Sequence, residues 1–284
     1  MNTLKKLWLI TTGRRKKLRR KNRHRPAEKP KPEITPLGFK LAGHDAMASG
    51  RFEPEETFVI SRLLDDTDLF VNIGANIGYY CCLALQAGKP VIAFEPIAAN
   101  IDYLISNVRA NGWDSSIEIY PIALTDRIGA IDIYGWSTWA SVLKGWAGTP
   151  EQHVTQVPTN RLDNVLAARM AGKKSVILVD IEGAEYLMLG GAEQILAQTP
   201  APVWVVEINI DEHQPGGMPI NPKLRETFDR FWAFGYNAFK ASKTPQPVTP
   251  ADIDHVIATG ENLIGTHNFI FTKSRSAAAL IDTD

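Results

Sequence analysis

The apolar run Leu69-Phe70-Val71 leads into Asn72-Ile73-Gly74-Ala75-Asn76-Ile77-Gly78, a helical pattern follows, and a second apolar run, Val91 to Phe94, ends on Glu95. Strand, tight loop, helix, strand and terminal carboxylate, in that order, restrict the chain to an α/β fold built on parallel strands. The glycines let the loop backbone come close to a ligand. A carboxylate at the tip of the second strand can accept both hydroxyl protons of a ribose. The spacing therefore marks Gly74, Asn76, Gly78 and Glu95 as a nucleoside site. The loop is not Gly-x-Gly-x-x-Gly, and no Gly-Lys-Ser/Thr follows it, which argues against a nucleoside triphosphate. A plain strand-to-helix turn would account for the two glycines alone; it does not account for Glu95.

The remaining pattern extends the same fold. Strands are predicted at 68–73, 90–95, 116–122, 175–180, 202–208 and 267–272, and helices at 77–87, 97–111, 160–171, 185–198 and 221–235. Their alternation gives a mostly parallel sheet with helices on both faces. Residues 117–157 depart from it. Ile131-Asp132-Ile133-Tyr134 alternates, as does part of 153–157, as antiparallel strands or a cover over the sheet would. Residues 37–66 read as a lead-in with one or two helices, residues 242–250 as a loop, and 274–284 as a loose tail.

Charge is unevenly spread. Residues 1–33 hold 13 of the 31 Lys/Arg and two of the 31 Asp/Glu, so a basic arm precedes an acidic body. Residues 1–36, with Arg14 to Lys21 repelling one another and Pro26, Pro30, Pro32 and Pro36 blocking regular structure, are read as a disordered arm. It is either a solvated tail or a contact for an anionic membrane, glycan or nucleic acid. The domain proper is expected over 37–273, with its core at 66–210. No stretch approaches the ~20 apolar residues of a membrane span. The two cysteines, Cys81 and Cys82, point about 100° apart on a helix and are expected as buried thiols in a reducing compartment. The body is expected in the cytoplasm, peripheral to a membrane if the arm binds one.

Chemistry-bearing residues gather at predicted strand ends. Asp180-Ile181-Glu182-Gly183-Ala184-Glu185 follows the apolar strand Val176 to Val179 and reaches the carboxyl edge, where open α/β sheets bind ligands. Glu185 fits a helix-opening acid favoured by the dipole. Asp180 and Glu182 suit a general base or a cation site. Glu207 ends the next strand at the same edge, and His213 follows in a Pro/Gly-rich loop as a weaker candidate base. Asp126 ends the third strand, where an acid can meet an adenine amino group or simply serve a turn beside Gly129. Trp113, Trp136, Trp139 and Trp146 are dense within a short stretch; each suits a core better than a stacking surface.

Taken together, the motifs at 72–80, 92–96, 123–126, 179–185 and 205–207 resemble the FkbM family of S-adenosylmethionine-dependent methyltransferases. The resemblance implies a class I methyltransferase, Rossmann-like fold: a seven-stranded sheet whose last strand is antiparallel. It implies S-adenosyl-L-methionine as cofactor, with the methionine part along Gly74 to Gly78, the ribose at Glu95 and the adenine near Asp126. Asp180 and Glu182 would face the methyl group and the acceptor, a hydroxyl of a saccharide or similar metabolite. One position departs: the family usually carries aspartate where this chain has Asn72, which can accept a hydrogen bond from the cofactor's ammonium but without charge. A divalent cation on Asp180, Glu182 and Glu207 would be an alternative way to acidify the acceptor. Two other functions compete: a nucleic-acid (RNA) methyltransferase that uses the basic arm, and a non-catalytic cofactor-binding module. No Asn/Asp-Pro-Pro-Tyr/Phe sequence and no Pro-Cys nucleophile supports the first, and only Asn72 supports the second.

Overall fold

The computed structural model describes residues 31–135 and 140–281. The chain first forms a short antiparallel hairpin, β1 (Glu33–Ile34) at the end of the stretch expected as arm and β2 (Lys40–Leu41) in the lead-in. The hairpin holds because Thr35 is buried and its hydroxyl donates to Phe39 O at 2.8 Å. Helices α1 (Asp45–Ala48) and α2 (Pro54–Leu63) follow. Next come β3 (Leu69–Ile73), α3 (Tyr79–Gln86), β4 (Val91–Phe94), α4 (Ala98–Ala110) and β5 (Ile117–Tyr120), each within a few residues of its predicted span.

The irregular stretch resolves into a second sheet. Strand β6 (Ala123–Leu124) pairs parallel to β8 (Val154–Asn160), which pairs antiparallel to β7 (Gly129–Tyr134). Trp136 and Trp139 lie outside the described residues. Helix α5 (Leu162–Met170) and strand β9 (Ser175–Val179) return the chain to the main sheet. The helix predicted over 185–198 is two, α6 (Glu185–Leu189) and α7 (Glu193–Leu196), interrupted at Gly190-Gly191. Then come β10 (Val203–Glu207), α8 (Leu224–Ala233), β11 (Asn237–Lys240), β12 (Pro247–Val248), α9 (Pro250–Thr259), β13 (Asn268–Thr272) and α10 (Ala278–Ile281).

The main sheet has the order β12-β11-β13-β10-β9-β3-β4-β5. Strands β5, β4, β3, β9 and β10 run parallel, and β13 is antiparallel to both β10 and β11. The expected count of seven therefore becomes eight, because the two-residue β12 adds an edge to β11. Residues 242–250, expected as loop, contain β12 and the start of α9. Thr249 caps that helix reciprocally with Asp252, and Pro250 opens it. The tail after Lys273 is not loose: Ala277 and Ile281 are buried, and Arg62 Nε donates to Ile281 O at 3.1 Å.

Alternation along the strands gives each face its own core. One face carries Leu69, Val71, Ile177, Val179, Trp204 and Val206 against α5 to α9. The other carries Phe70, Val176, Leu178, Val205 and Ile270 against α2, α3 and α4. Cys81 and Cys82 are free and buried in the second core. Burial pushes the Cys81 thiol up to about 12, with Glu95 adding and the Asn72 hydrogen bond opposing, so it stays protonated and inert. Trp146 is fully buried and Trp113 packs at the edge of the second core. Register places Ile73 beside Phe94 and Val179, and Val206 beside Val179. The residues that follow them, Gly74, Glu95, Asp180 and Glu207, thus emerge along one edge.

Candidate active site at the carboxyl edge

Two adjoining cavities open at that edge. The first is walled by Phe94, Glu95, Ile97, Asn100, Ile122 and Leu124, among others. The second, of about 270 Å³, is walled by Asn72, Tyr80, Glu53, Asp180, Glu207 and His213, among others. Gly74, Asn76, Asp180 and Glu182 line both and form the passage between them. At Gly74, with φ of +87°, a Cβ would lie 1.7 Å from the Asp180 carbonyl oxygen. Only glycine allows the loop to rest on the tip of β9 there.

Glu95 is buried at the tip of β4. Its Oε2 accepts the Asn76 amide at 2.8 Å; its Oε1 accepts the Ile97 amide at 2.8 Å and Asn100 Nδ2 at 3.3 Å. Burial raises its pKa, and the two backbone amides and Asn100 oppose that rise. Three of its four lone-pair directions are engaged. It can take one ribose hydroxyl as it stands; a second requires Asn100 to release its longer bond. Gly78 lines neither cavity and turns the chain into α3 behind the loop.

Asp126 is not brought to the site. It is exposed, its carbonyl accepts Arg161 Nη1 at 2.8 Å, and it lines neither cavity. Strand β6 leaves the main sheet to join the second one, so Ile122, Ala123 and Leu124 meet the first cavity and Asp126 lies beyond it. Ile97, Ile122, Ala123 and Leu124 give the first cavity an apolar wall, which suits a purine.

Asn72 sits on the β3 face covered by α3, 2 % exposed, with Nδ2 3.5 Å from Cys81 Sγ. Its Oδ1 is buried without a hydrogen-bond partner, and Asn72 lines the second cavity. A buried acceptor without a donor costs about 1–3 kcal/mol. A cationic amine in this cavity would satisfy it. The residues therefore fit S-adenosylmethionine: an open acceptor for the ammonium, a carboxylate for the ribose and an apolar wall for the base.

The acids of the second cavity are held differently from one another. Glu182 has a left-handed backbone, φ 53°, and its Oε2 accepts the indole N–H of the buried Trp146 at 2.6 Å. Glu207 Oε1 accepts Asn209 Nδ2 at 2.9 Å, and the register places its residue beside Asp180 at the tip of the neighbouring strand. Burial raises the pKa of all three, and their mutual repulsion adds to it for Asp180 and Glu207. Among the described residues, no group of three or more His, Cys, Asp or Glu is arranged to hold a metal ion. The cation set expected from sequence is therefore not assembled among them, and Glu182 is instead held by Trp146. His213, with φ of 64°, reaches the same cavity, and its ring lies 6.1 Å from that of Trp146.

One wall was invisible to motif reading. The lead-in segment supplies His44, Met47, Phe52 and Glu53. Glu53 precedes α2 with a left-handed backbone, φ 39° and ψ 67°. Its Oε2 accepts the Tyr80 hydroxyl at 2.6 Å across 27 residues of sequence. Burial raises its carboxyl to about 7, with the Tyr80 hydrogen bond opposing and Asp180 and Glu56 reinforcing. The only local sign was the pair Glu53-Pro54, an acid before a helix-opening proline.

Strand order, edge and cavities define a class I methyltransferase domain. A family profile described as the methyltransferase FkbM domain matches residues 72–237, more than half of the chain, and the chain belongs to that family. No curated protein sequence matches it. It is similar to a solved methyltransferase FkbM from Methylobacillus flagellatus at 15% identity and TM-score 0.46, covering 73% of this chain and 44% of that one. It is also similar to an S-adenosylmethionine-dependent O-methyltransferase from Thermotoga maritima at 12% identity and TM-score 0.40, covering 86% of this chain and 77% of that one. An O-methyltransferase from Bacillus cereus in complex with S-adenosylhomocysteine gives 11% identity and TM-score 0.42 over 77% and 79%. The chain thus spans less than half the length of the Methylobacillus protein.

Proposed function

We propose that this domain transfers a methyl group from S-adenosylmethionine to a hydroxyl of a saccharide or similar hydroxylated metabolite. The observation that carries the reading is Asp180, which lines both the nucleoside-shaped cavity and the acid-walled one. The cofactor supplies a carbon already activated for displacement by its sulfonium. The chain's task is alignment, which can contribute several kcal/mol to such a reaction. Asn72 Oδ1 and Glu95 fix the donor's two ends. Asp180 accepts the proton that a hydroxyl must lose. Glu53, Glu182 and Glu207 accept hydrogen bonds from neighbouring hydroxyls, and Phe52 and Tyr79 add aromatic surface, their rings 5.3 Å apart. That polar-acceptor, aromatic mixture suits a sugar-like molecule.

The basic arm, in this reading, tethers the domain to an anionic membrane, glycan or nucleic acid. Calorimetric titration with S-adenosylmethionine and S-adenosylhomocysteine tests the cofactor. Glu95→Ala should weaken both by roughly 10- to 100-fold, since hydrogen bonds to a charged group contribute about 1.5–3 kcal/mol. Asp180→Ala should mainly lower turnover, followed as S-adenosylhomocysteine release across a panel of hydroxylated acceptors. Absence of binding at millimolar ligand would remove the enzyme reading.

A further inference from the structure

Asp180 and Glu207 leave adjacent parallel strands side by side, since Val179 pairs with Val206. Neighbouring strands lie about 4.8 Å apart, and both side chains line the same cavity. Two buried carboxyls so placed repel each other when both are ionised, and one shared proton relieves that repulsion. Asn209 anchors Glu207 from the other side.

The surrounding groups reinforce this state. Glu53 faces the pair from the lead-in segment, Glu95 from the tip of β4, and Glu182 and Glu185 from the turn after β9. Tyr79 and Tyr80 of α3 complete the wall, and the Tyr80 hydroxyl is committed to Glu53. Among the described residues, no Lys or Arg lines the cavity, and His44 and His213 bring imidazoles to it.

We infer that Asp180 and Glu207 share one proton until a sulfonium is seated in their cavity, and that Glu207 is the positioning residue that holds Asp180 in reserve as a base until then. This rests on the reading of Asp180 as the base. A positive charge brought within a few Å of a carboxylate lowers its pKa by roughly 1–3 units. The shared proton then leaves to solvent and both oxygens can accept. When the acceptor oxygen bonds to the methyl carbon, the carbon–sulfur bond breaks and its electron pair stays on sulfur, while the hydroxyl proton passes to the pair. The sulfur is now neutral, so the pair keeps that proton. The one proton that methyl transfer produces thus appears in solution when the donor binds, not at the chemical step.

The test needs no acceptor. S-adenosylmethionine and S-adenosylhomocysteine differ by one methyl and the sulfonium charge. Each is titrated into the full chain at pH 7 in buffers of different ionisation enthalpy, and the slope of enthalpy against buffer gives protons released. S-adenosylmethionine should release about half to one proton more than S-adenosylhomocysteine. Glu207→Gln, which can still donate to Asp180 but carries no shared proton, should erase the difference; Glu53→Gln should keep it. Equal release by both ligands in the wild-type protein would overturn the inference and leave the cofactor reading intact, as would an unchanged difference in Glu207→Gln. Failure of both ligands to bind would overturn the two together. The wild-type comparison decides even if Glu207→Gln fails to fold.

Discussion

Glu185 offers a stability measurement that isolates one buried acid. It is 3 % exposed, and its Oε1 accepts the Gly183 amide at 3.0 Å. Burial raises its carboxyl from 4.5 to about 8; its own and Gly183's backbone amides oppose this, and Asp180 and Glu182 add to it. Between those two values the folded protein holds a proton that the unfolded chain has lost, so stability falls as pH rises. Integrating that difference from pH 6 to pH 8 gives a loss of about 2 kcal/mol from this group. Glu185→Gln keeps an oxygen acceptor for Gly183 and removes the titration. The variant should therefore gain about 2 kcal/mol relative to wild type on going from pH 6 to pH 8, because Asp180, Glu182 and Glu207 titrate in both proteins and largely cancel. Urea unfolding of both proteins at the two pH values reads the quantity directly. A constant gap between the two proteins across that range would refute the reasoning, whatever the size of the gap.

Asn72→Asp should tighten S-adenosylmethionine binding about tenfold, since a charged acceptor roughly doubles the strength of the bond to an ammonium. The same change should lower the melting temperature without ligand, because it places a carboxylate beneath α3 beside Cys81; calorimetry and thermal melts check each half, and unchanged affinity would contradict the assignment of Oδ1. Gly183→Ala should cost about 2 kcal/mol through its left-handed backbone alone. Its φ is +92°, and a Cβ would come within 2.7 Å of Leu143 Cδ1 and Trp146 Cζ3; an unaltered urea midpoint would show that this turn is not strained by a side chain.

The edge was legible in sequence because each acid there is preceded by its own apolar strand. Val91 to Phe94 points to Glu95, Val176 to Val179 to Asp180, and Val203 to Val206 to Glu207. Asp126 follows a strand too, but that strand belongs to the second sheet, and linear spacing does not say which sheet a strand joins. Glu53 was hidden for another reason: its partner Tyr80 is distant in sequence, and no apolar strand delivers it. Strand β11 escaped because Asn237-Ala238-Phe239-Lys240 is short and barely alternates. Helix α9 did carry a readable sign, Thr249-Pro250 with Asp252, although the composition around it suggested a loop. Carboxylates that reach the site from outside the sheet require tertiary structure to find.

The contact of Gly74 with the Asp180 carbonyl divides the labour of the domain. The loop assigned to the methyl donor and the acid assigned to the proton are joined main chain to main chain, as parts of one rigid piece of sheet. The walls facing the acceptor, Glu53, Phe52 and His213, come instead from connecting segments. Changing those walls alters which molecule is admitted while the reach from donor to base stays fixed. On the proposed function, acceptor choice and chemical competence would be separable in this fold, with substrate range set by residues 44–53 and around 213.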